Sequence, residues 1–271
     1  MAVTMKDVKA ISIPVNGTNK VVNKIEDANG NIIWGSQAAF PYRRLEYLHF
    51  SGAEGIDLGF KPASTGNTGV QVLRARITGP VTNPSYGIIL GCAGDAAASG
   101  GTMRVLIQSY CTDTATVGQR VGRNSSTYGY STAMNTDEFY SFRLRTTSNS
   151  STYIDIYNAA GQLISGTSHT TSVSYTVNNM PNENIMRYNS SGNIISNGYS
   201  TGDISLFKQW DGAQSTGTLI KDMYPVQRKS DDICGLYDVL NSTFYPMQGT
   251  NITSAAAGPV VDEYWDLTAP A

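Results

Sequence analysis

The chain has 271 residues, only 15% of them charged, and a formal net charge of −2. An average globular domain is about one quarter charged, so this surface is built largely from Ser, Thr, Asn and Gly and has no basic field to attract nucleic acid or anionic lipid. No run of about 18 apolar residues occurs, and Met1-Ala2-Val3-Thr4-Met5-Lys6-Asp7 lacks the apolar core of a signal peptide, which speaks against membrane insertion and predicts synthesis in a cytoplasm.

In chain order, residues 1–36 read as a small β-meander. Val8–Val15 alternates apolar and polar, and a second strand over 20–27 meets a third over 31–34 across Ala28-Asn29-Gly30. Asn-Gly is a strong hairpin signal because both residues accept positive φ. Three such strands bury too little to fold alone. Their apolar face, with Ile11, Ile13, Ile33 and Trp34 and, depending on register, Val22 and Ile25, therefore predicts docking on a partner chain. Residues 37–41 form a linker that Pro41 closes.

From Tyr42 to 262 the chain is short strands separated by turn clusters every 8–12 residues, the pattern of an all-β sandwich. The 70–78 strand alternates, with Val70 and Val72 set against Arg74 and Arg76 on opposite faces. Strands over 86–91 and 103–108 flank a Gly/Ala loop at 93–101. The 138–145 strand is followed by a hairpin that turns through Asn158-Ala159-Ala160-Gly161. Residues 263–271 are a tail.

Little here spells out chemistry. Gly198-Tyr199-Ser200-Thr201-Gly202 matches a nucleophile-elbow pattern but continues as strand alternation rather than helix, so it reads as coincidence. His49 and His169 have no Cys or paired carboxylate beside them in sequence. Asp57, Glu138, Asp155 and Asp222 carry no glycosidase motif. Cys92, Cys111 and Cys234 are widely spaced and read as buried free thiols, with a Cys92–Cys111 bridge between neighbouring strands as the alternative. We thus expect no enzyme, no catalytic residues, no cofactor and no metal site. Calcium at Ser230-Asp231-Asp232 is the alternative to a plain turn there. Tyr128 and Tyr130, in a Ser/Gly-rich loop at 124–132, read either as ligand contacts or as loop packing, and Trp210 at a strand end stands beside them as a third candidate.

Two phrases carry a family resemblance. The first is Tyr42-Arg43-Arg44-Leu45-Glu46-Tyr47-Leu48, with Gly52 and Ile56-Asp57-Leu58-Gly59-Phe60-Lys61-Pro62. The second runs from Leu219-Ile220-Lys221-Asp222 through Pro225, Arg228 and Asp232 to Gly235-Leu236-Tyr237-Asp238, Phe244-Tyr245, Gly249 and Ala257-Gly258-Pro259. Together they resemble the opening and closing of a concanavalin A-like (laminin-G-like) jelly roll found in phage virion proteins, over roughly residues 40–262. Short meanders ending in Ile-Trp-Gly, as at 33–35, precede that module in phage proteins and suggest attachment. The resemblance implies a bacteriophage structural protein located in the virion as a head, tail-fibre or decoration component, with other virion proteins and further copies of itself as partners. A glycan-binding host-recognition adhesin and a surface polysaccharide hydrolase are the alternatives. It also implies that Leu236, Tyr237, Phe244 and Tyr245 pack between the sheets and that Gly235 stands where a side chain would clash.

Overall fold

The computed structural model describes residues 11–15, 18–22, 24–26, 32–35, 40–61, 69–80, 87–94, 103–111, 115–121, 132–146, 151–170, 181–190, 193–195, 199–212 and 216–262. Among them every regular element is a strand. The chain divides into two compact units, one of which is Tyr42–Glu263.

The other unit contains β1 (Ile11–Val15), β2 (Thr18–Val22), β3 (Lys24–Glu26) and β4 (Ile32–Gly35). The pairing is two by two, β1 with β2 and β3 with β4, both antiparallel. The expected 20–27 strand is thus two strands, Thr18–Val22 and Lys24–Glu26, with different partners. Ile11 stands opposite Val22, and Trp34 opposite Ile25. The Asn29-Gly30 turn lies outside the described residues.

Unit two opens with β5 (Tyr42–Leu45), β6 (Leu48–Phe50), β7 (Gly55–Asp57) and β8 (Gly69–Pro80). It continues with β9 (Gly87–Gly94), β10 (Met103–Cys111), β11 (Ala115–Val121) and β12 (Thr132–Ala133). The next hairpins use β13 (Tyr140–Thr146), β14 (Ser151–Tyr157) and β15 (Leu163–Thr170). Three short strands follow, β16 (Asn184–Ile185), β17 (Tyr188–Ser190) and β18 (Asn193–Ile195). The chain then runs through the long β19 (Ser200–Asp211) and β20 (Thr218–Arg228) into β21 (Cys234–Asp238), β22 (Thr243–Gln248) and β23 (Val260–Asp262).

The larger sheet has the antiparallel order β15-β14-β13-β8-β19-β20-β21-β22, with β6 on β19 and β5 on β20. The second sheet runs β12-β11-β10-β9-β16-β7 and meets β22 through Met247 opposite Ile56. β22 therefore joins the two sheets along one edge. Both contribute to one core: Leu73 and Ala75 from β8, Phe142 from β13, Ile204 and Phe207 from β19 and Leu236 from β21 on one side, Ile56 from β7 and Ile89 and Leu90 from β9 on the other, all closed to solvent. This is an all-β jelly-roll sandwich. Burying each of these Leu, Ile and Phe side chains contributes about 1.5–3 kcal/mol.

The opening and closing phrases meet in space. Glu54, fully buried, accepts hydrogen bonds from the Ser51 and Ala53 amides on its own side and from the Asn251 amide and Thr250 hydroxyl of the closing phrase. Burial pushes its carboxyl pKa up, but these donors outweigh that and hold it below the usual value. Gly235 is a close-approach position: a Cβ there would lie 2.3 Å from the Tyr245 carbonyl oxygen and 2.6 Å from the Phe244 ring.

Two expectations about facing need correction. Leu236 and Tyr245 do face the core, but Tyr237 and Phe244 stack with Tyr42, at centroid distances of 4.9 and 5.0 Å for Tyr42–Tyr237 and Tyr42–Phe244, on the outer side of the larger sheet. Neighbours along a strand point to opposite faces, so adjacent residues could not all be internal. On β8, Gln71, Leu73, Ala75 and Ile77 point inward, leaving Val70 and Val72 on the same outward face as Arg74 and Arg76.

Cys92 and Cys234 are buried free thiols. The β9–β10 register sets Cys92 opposite Val105, while Cys111 stands opposite Ala115, so the alternative Cys92–Cys111 bridge is not supported by the pairing.

Candidate functional site: the outer face of the larger sheet

Strand alternation and register build this face. One row across the sheet is Tyr153, Arg145, Val70, Trp210 and Leu219, from β14, β13, β8, β19 and β20 in turn; the next is Asp155, Arg143, Val72, Lys208 and Asp222. Val70, which is 3% exposed, and half-buried Val72 thus form a floor with Arg143 and Arg145 on one side and Lys208 and Trp210 on the other, and of the two valines Val72 is the one open to solvent. Neighbouring strands lie about 4.8 Å apart, which puts roughly 10 Å between the two walls.

The carboxylates lie beneath their partners. Asp155 Oδ2 accepts from Arg143 Nη2 at 2.7 Å and from Arg145 Nε at 3.1 Å, and Lys208 Nζ lies 3.2 Å from Asp222 Oδ1. Side-chain exposure is 10% for Asp155 and 14% for Asp222, against 29% for Arg143, 33% for Arg145 and 27% for Lys208. Rings hold the cations in place: Arg143 lies over Tyr157 at 5.0 Å, Arg145 over Tyr153 at 4.9 Å and Lys208 over Tyr224 at 5.8 Å.

Further along the same face, His49 Nδ1 is 2.8 Å from Asp203 Oδ1, and Arg76 Nε donates to Asp203 Oδ2 at 2.7 Å. Asp203 is 3% exposed and His49 46%. The carboxylate, held from behind by the guanidinium, fixes the orientation of an open imidazole. Arg76 stacks between Tyr47 at 5.5 Å and Phe139 at 5.2 Å.

The inner face has a polar row of its own. Gln71 and Gln209 are register partners, and Lys221 follows opposite Gln209. The Gln71 amide donates to Glu183, which is fully buried. Burial pushes the Glu183 pKa up to about 8 against the opposing effect of the Gln71 bond. Lys221 pairs with buried Asp238 at 3.1 Å and donates to the Tyr245 hydroxyl at 3.1 Å.

Of the residues that the sequence singles out, Trp210 belongs to the outer face, half-buried at one wall of the Val70–Val72 floor. Tyr128 and Tyr130 lie outside the described residues. Ile11, Ile13, Ile33 and Trp34 are placed on strands β1 and β4, and their side chains lie outside what is described. Ser200 is fully buried at the start of β19. At 230–232 the chain turns: Asp231 pairs with Arg228 at 2.6 Å and Asp232, at φ 59°, with Arg43 at 3.1 Å. Sequence reading missed Arg143, Arg145, Lys208 and the His49–Asp203–Arg76 group. The available signal was Arg-x-Arg twice in alternating segments, at 74–76 and 143–145, since a spacing of two puts both charges on one face.

No family profile matches the sequence, and neither does any curated protein sequence. Among solved structures the chain is similar to the carbohydrate-binding module CBM40 of the Ruminococcus gnavus IT-sialidase bound to α2,3-sialyllactose, at 13% identity and a TM-score of 0.41 over 60% of this chain and 89% of that one. It is similar to Scytalido-glutamic peptidase, at 9% identity and 0.39, over 76% and 100%. It is also similar to the enzymatically active domain of tailspike protein 2 of bacteriophage CBA120, at 9% and 0.38, over 76% and 28%. At these values the similarity carries no argument about ligand or chemistry. The expected exclusion of enzymes is nevertheless corrected: a peptidase and an enzymatically active tailspike domain stand among the matching structures, and a sandwich fold does not by itself separate catalysis from binding.

Proposed function

We propose that the chain is a structural component of a bacteriophage particle whose jelly roll presents a glycan-binding surface, the outer face of the larger sheet. The observation that carries this reading is half-buried Trp210 with Lys208 beside it, facing Arg143 and Arg145 across half-buried Val72. Sugars are held by an apolar or aromatic surface against their C–H faces with hydrogen-bonding groups around the rim, and this face supplies Trp210 and Val72 for the first and its Arg and Lys side chains for the second. The opening and closing phrases, with their resemblance to phage virion modules, supply the particle context. The short ladders β1–β2 and β3–β4 suit attachment to another virion protein, because two-stranded ladders are marginal on their own. Shallow sites bind weakly one at a time, and several copies on a particle raise the avidity.

The test is binding of the full chain to the surface polysaccharide of a host cell, before and after Trp210→Ala. Loss of the stacking wall is expected to weaken binding about tenfold, or roughly 1.4 kcal/mol, with an unchanged thermal midpoint. Equal binding by the variant would remove this face from the reading.

A further inference from the structure

Resting on the glycan reading, we infer that the ligand of this face is an anionic glycan, one that carries carboxylate or sulfate groups. The face gathers Arg44, Arg74, Arg76, Arg143, Arg145 and Lys208, whereas its carboxylates are Asp155, Asp203, Asp222 and, opposite Arg44, Asp262. It is therefore positive on a chain whose net charge is −2. Depth sharpens the asymmetry. Asp155, Asp203 and Asp222 are 10%, 3% and 14% exposed, below cations that keep about twice that exposure or more, so an approaching ligand meets guanidinium and ammonium groups first.

The guanidinium fork matches the geometry of a carboxylate or sulfate. Stacking of Arg44 on Tyr224 at 4.8 Å and of Arg143 and Arg145 on Tyr157 and Tyr153 orients those forks before a ligand arrives, which lowers the ordering cost of binding. The other anionic polymer, nucleic acid, fits less well. Single strands bind by stacking bases on open rings within a basic groove, and here Tyr153, Tyr157 and Tyr224 already carry cations on a chain of negative net charge.

The experiment compares three polymers of one backbone (dextran, carboxymethyl-dextran and dextran sulfate) together with host surface polysaccharide and single-stranded DNA, all against the full chain at low and high salt. We expect at least tenfold tighter binding to one charged dextran than to dextran itself, lost at high salt. Arg143→Gln with Arg145→Gln should remove that preference, and Lys229→Gln, off this face, should keep it. Equal binding to neutral and charged dextran would overturn the anionic ligand while leaving the glycan reading standing. Binding to none of the dextrans and not to host polysaccharide would overturn both. Tighter binding to DNA than to any glycan, or an equal loss in Lys229→Gln, would also overturn the inference.

Discussion

Leu236→Ala is expected to lower the unfolding free energy by about 2–5 kcal/mol, the range found when a buried leucine is truncated and the cavity only partly collapses. Leu236 is fully closed to solvent in β21, paired with Pro225 on one side and Tyr245 on the other, where the larger sheet hands over to the strand that joins both sheets. Gly235→Ala should destabilise through a different cause, since its new methyl would press on the Tyr245 carbonyl at 2.3 Å. Urea titration followed by circular dichroism reads both. A Leu236→Ala midpoint equal to that of the parent chain would show that β21 does not face the core.

Glu183→Gln is expected to stabilise the protein at neutral and alkaline pH. The folded pKa of about 8 lies above the ordinary carboxyl value of 4.5 because the group is buried. Below about pH 4.5 the acid is protonated whether the chain is folded or not, and it costs nothing. As pH rises from 4.5 to 8 the unfolded chain gains by ionising and the folded one does not, so stability falls across that window, by at most about 5 kcal/mol. Above pH 8 the loss is complete. The groups around it are the Gln71 amide and the Cys92 thiol, whose own pKa burial and Glu183 push up and Lys61 pulls down. Glu54 acts in the opposite sense, its depressed carboxyl contributing stability that is lost as pH falls through its folded value. Urea midpoints at pH 5, 7 and 9 should decline for the parent chain and stay flatter for Glu183→Gln. Parallel profiles would mean that Glu183 is ionised in the folded protein.

The all-β architecture was legible because alternation and turn chemistry are local properties, and the two bracketing phrases were legible because each spans a few strands. Their contact through Glu54, Thr250 and Asn251 explains why the phrases go together. The outer face was not legible. Its rows combine β13, β8 and β19, and the His49–Asp203 pair joins residues 154 positions apart. Which strands become neighbours is decided by the topology of the whole chain, which no local pattern encodes. The same holds inside, where Gln71 and Gln209 meet only because β8 and β19 pair. Trp210 was found because a lone tryptophan near a strand end is conspicuous by itself, and Arg143 and Arg145 were passed over because charged residues on a strand ordinarily mark a solvated face.

The most direct measurement is a nuclear magnetic resonance titration of the full chain with host surface polysaccharide, following the Trp210 indole N–H and the Nε–H groups of Arg143 and Arg145. The account predicts that these signals shift together and saturate at one ligand concentration, while amides of β9 and β16 in the second sheet stay in place. Shifts confined to the second sheet, with Trp210, Arg143 and Arg145 unmoved at saturation, would contradict it.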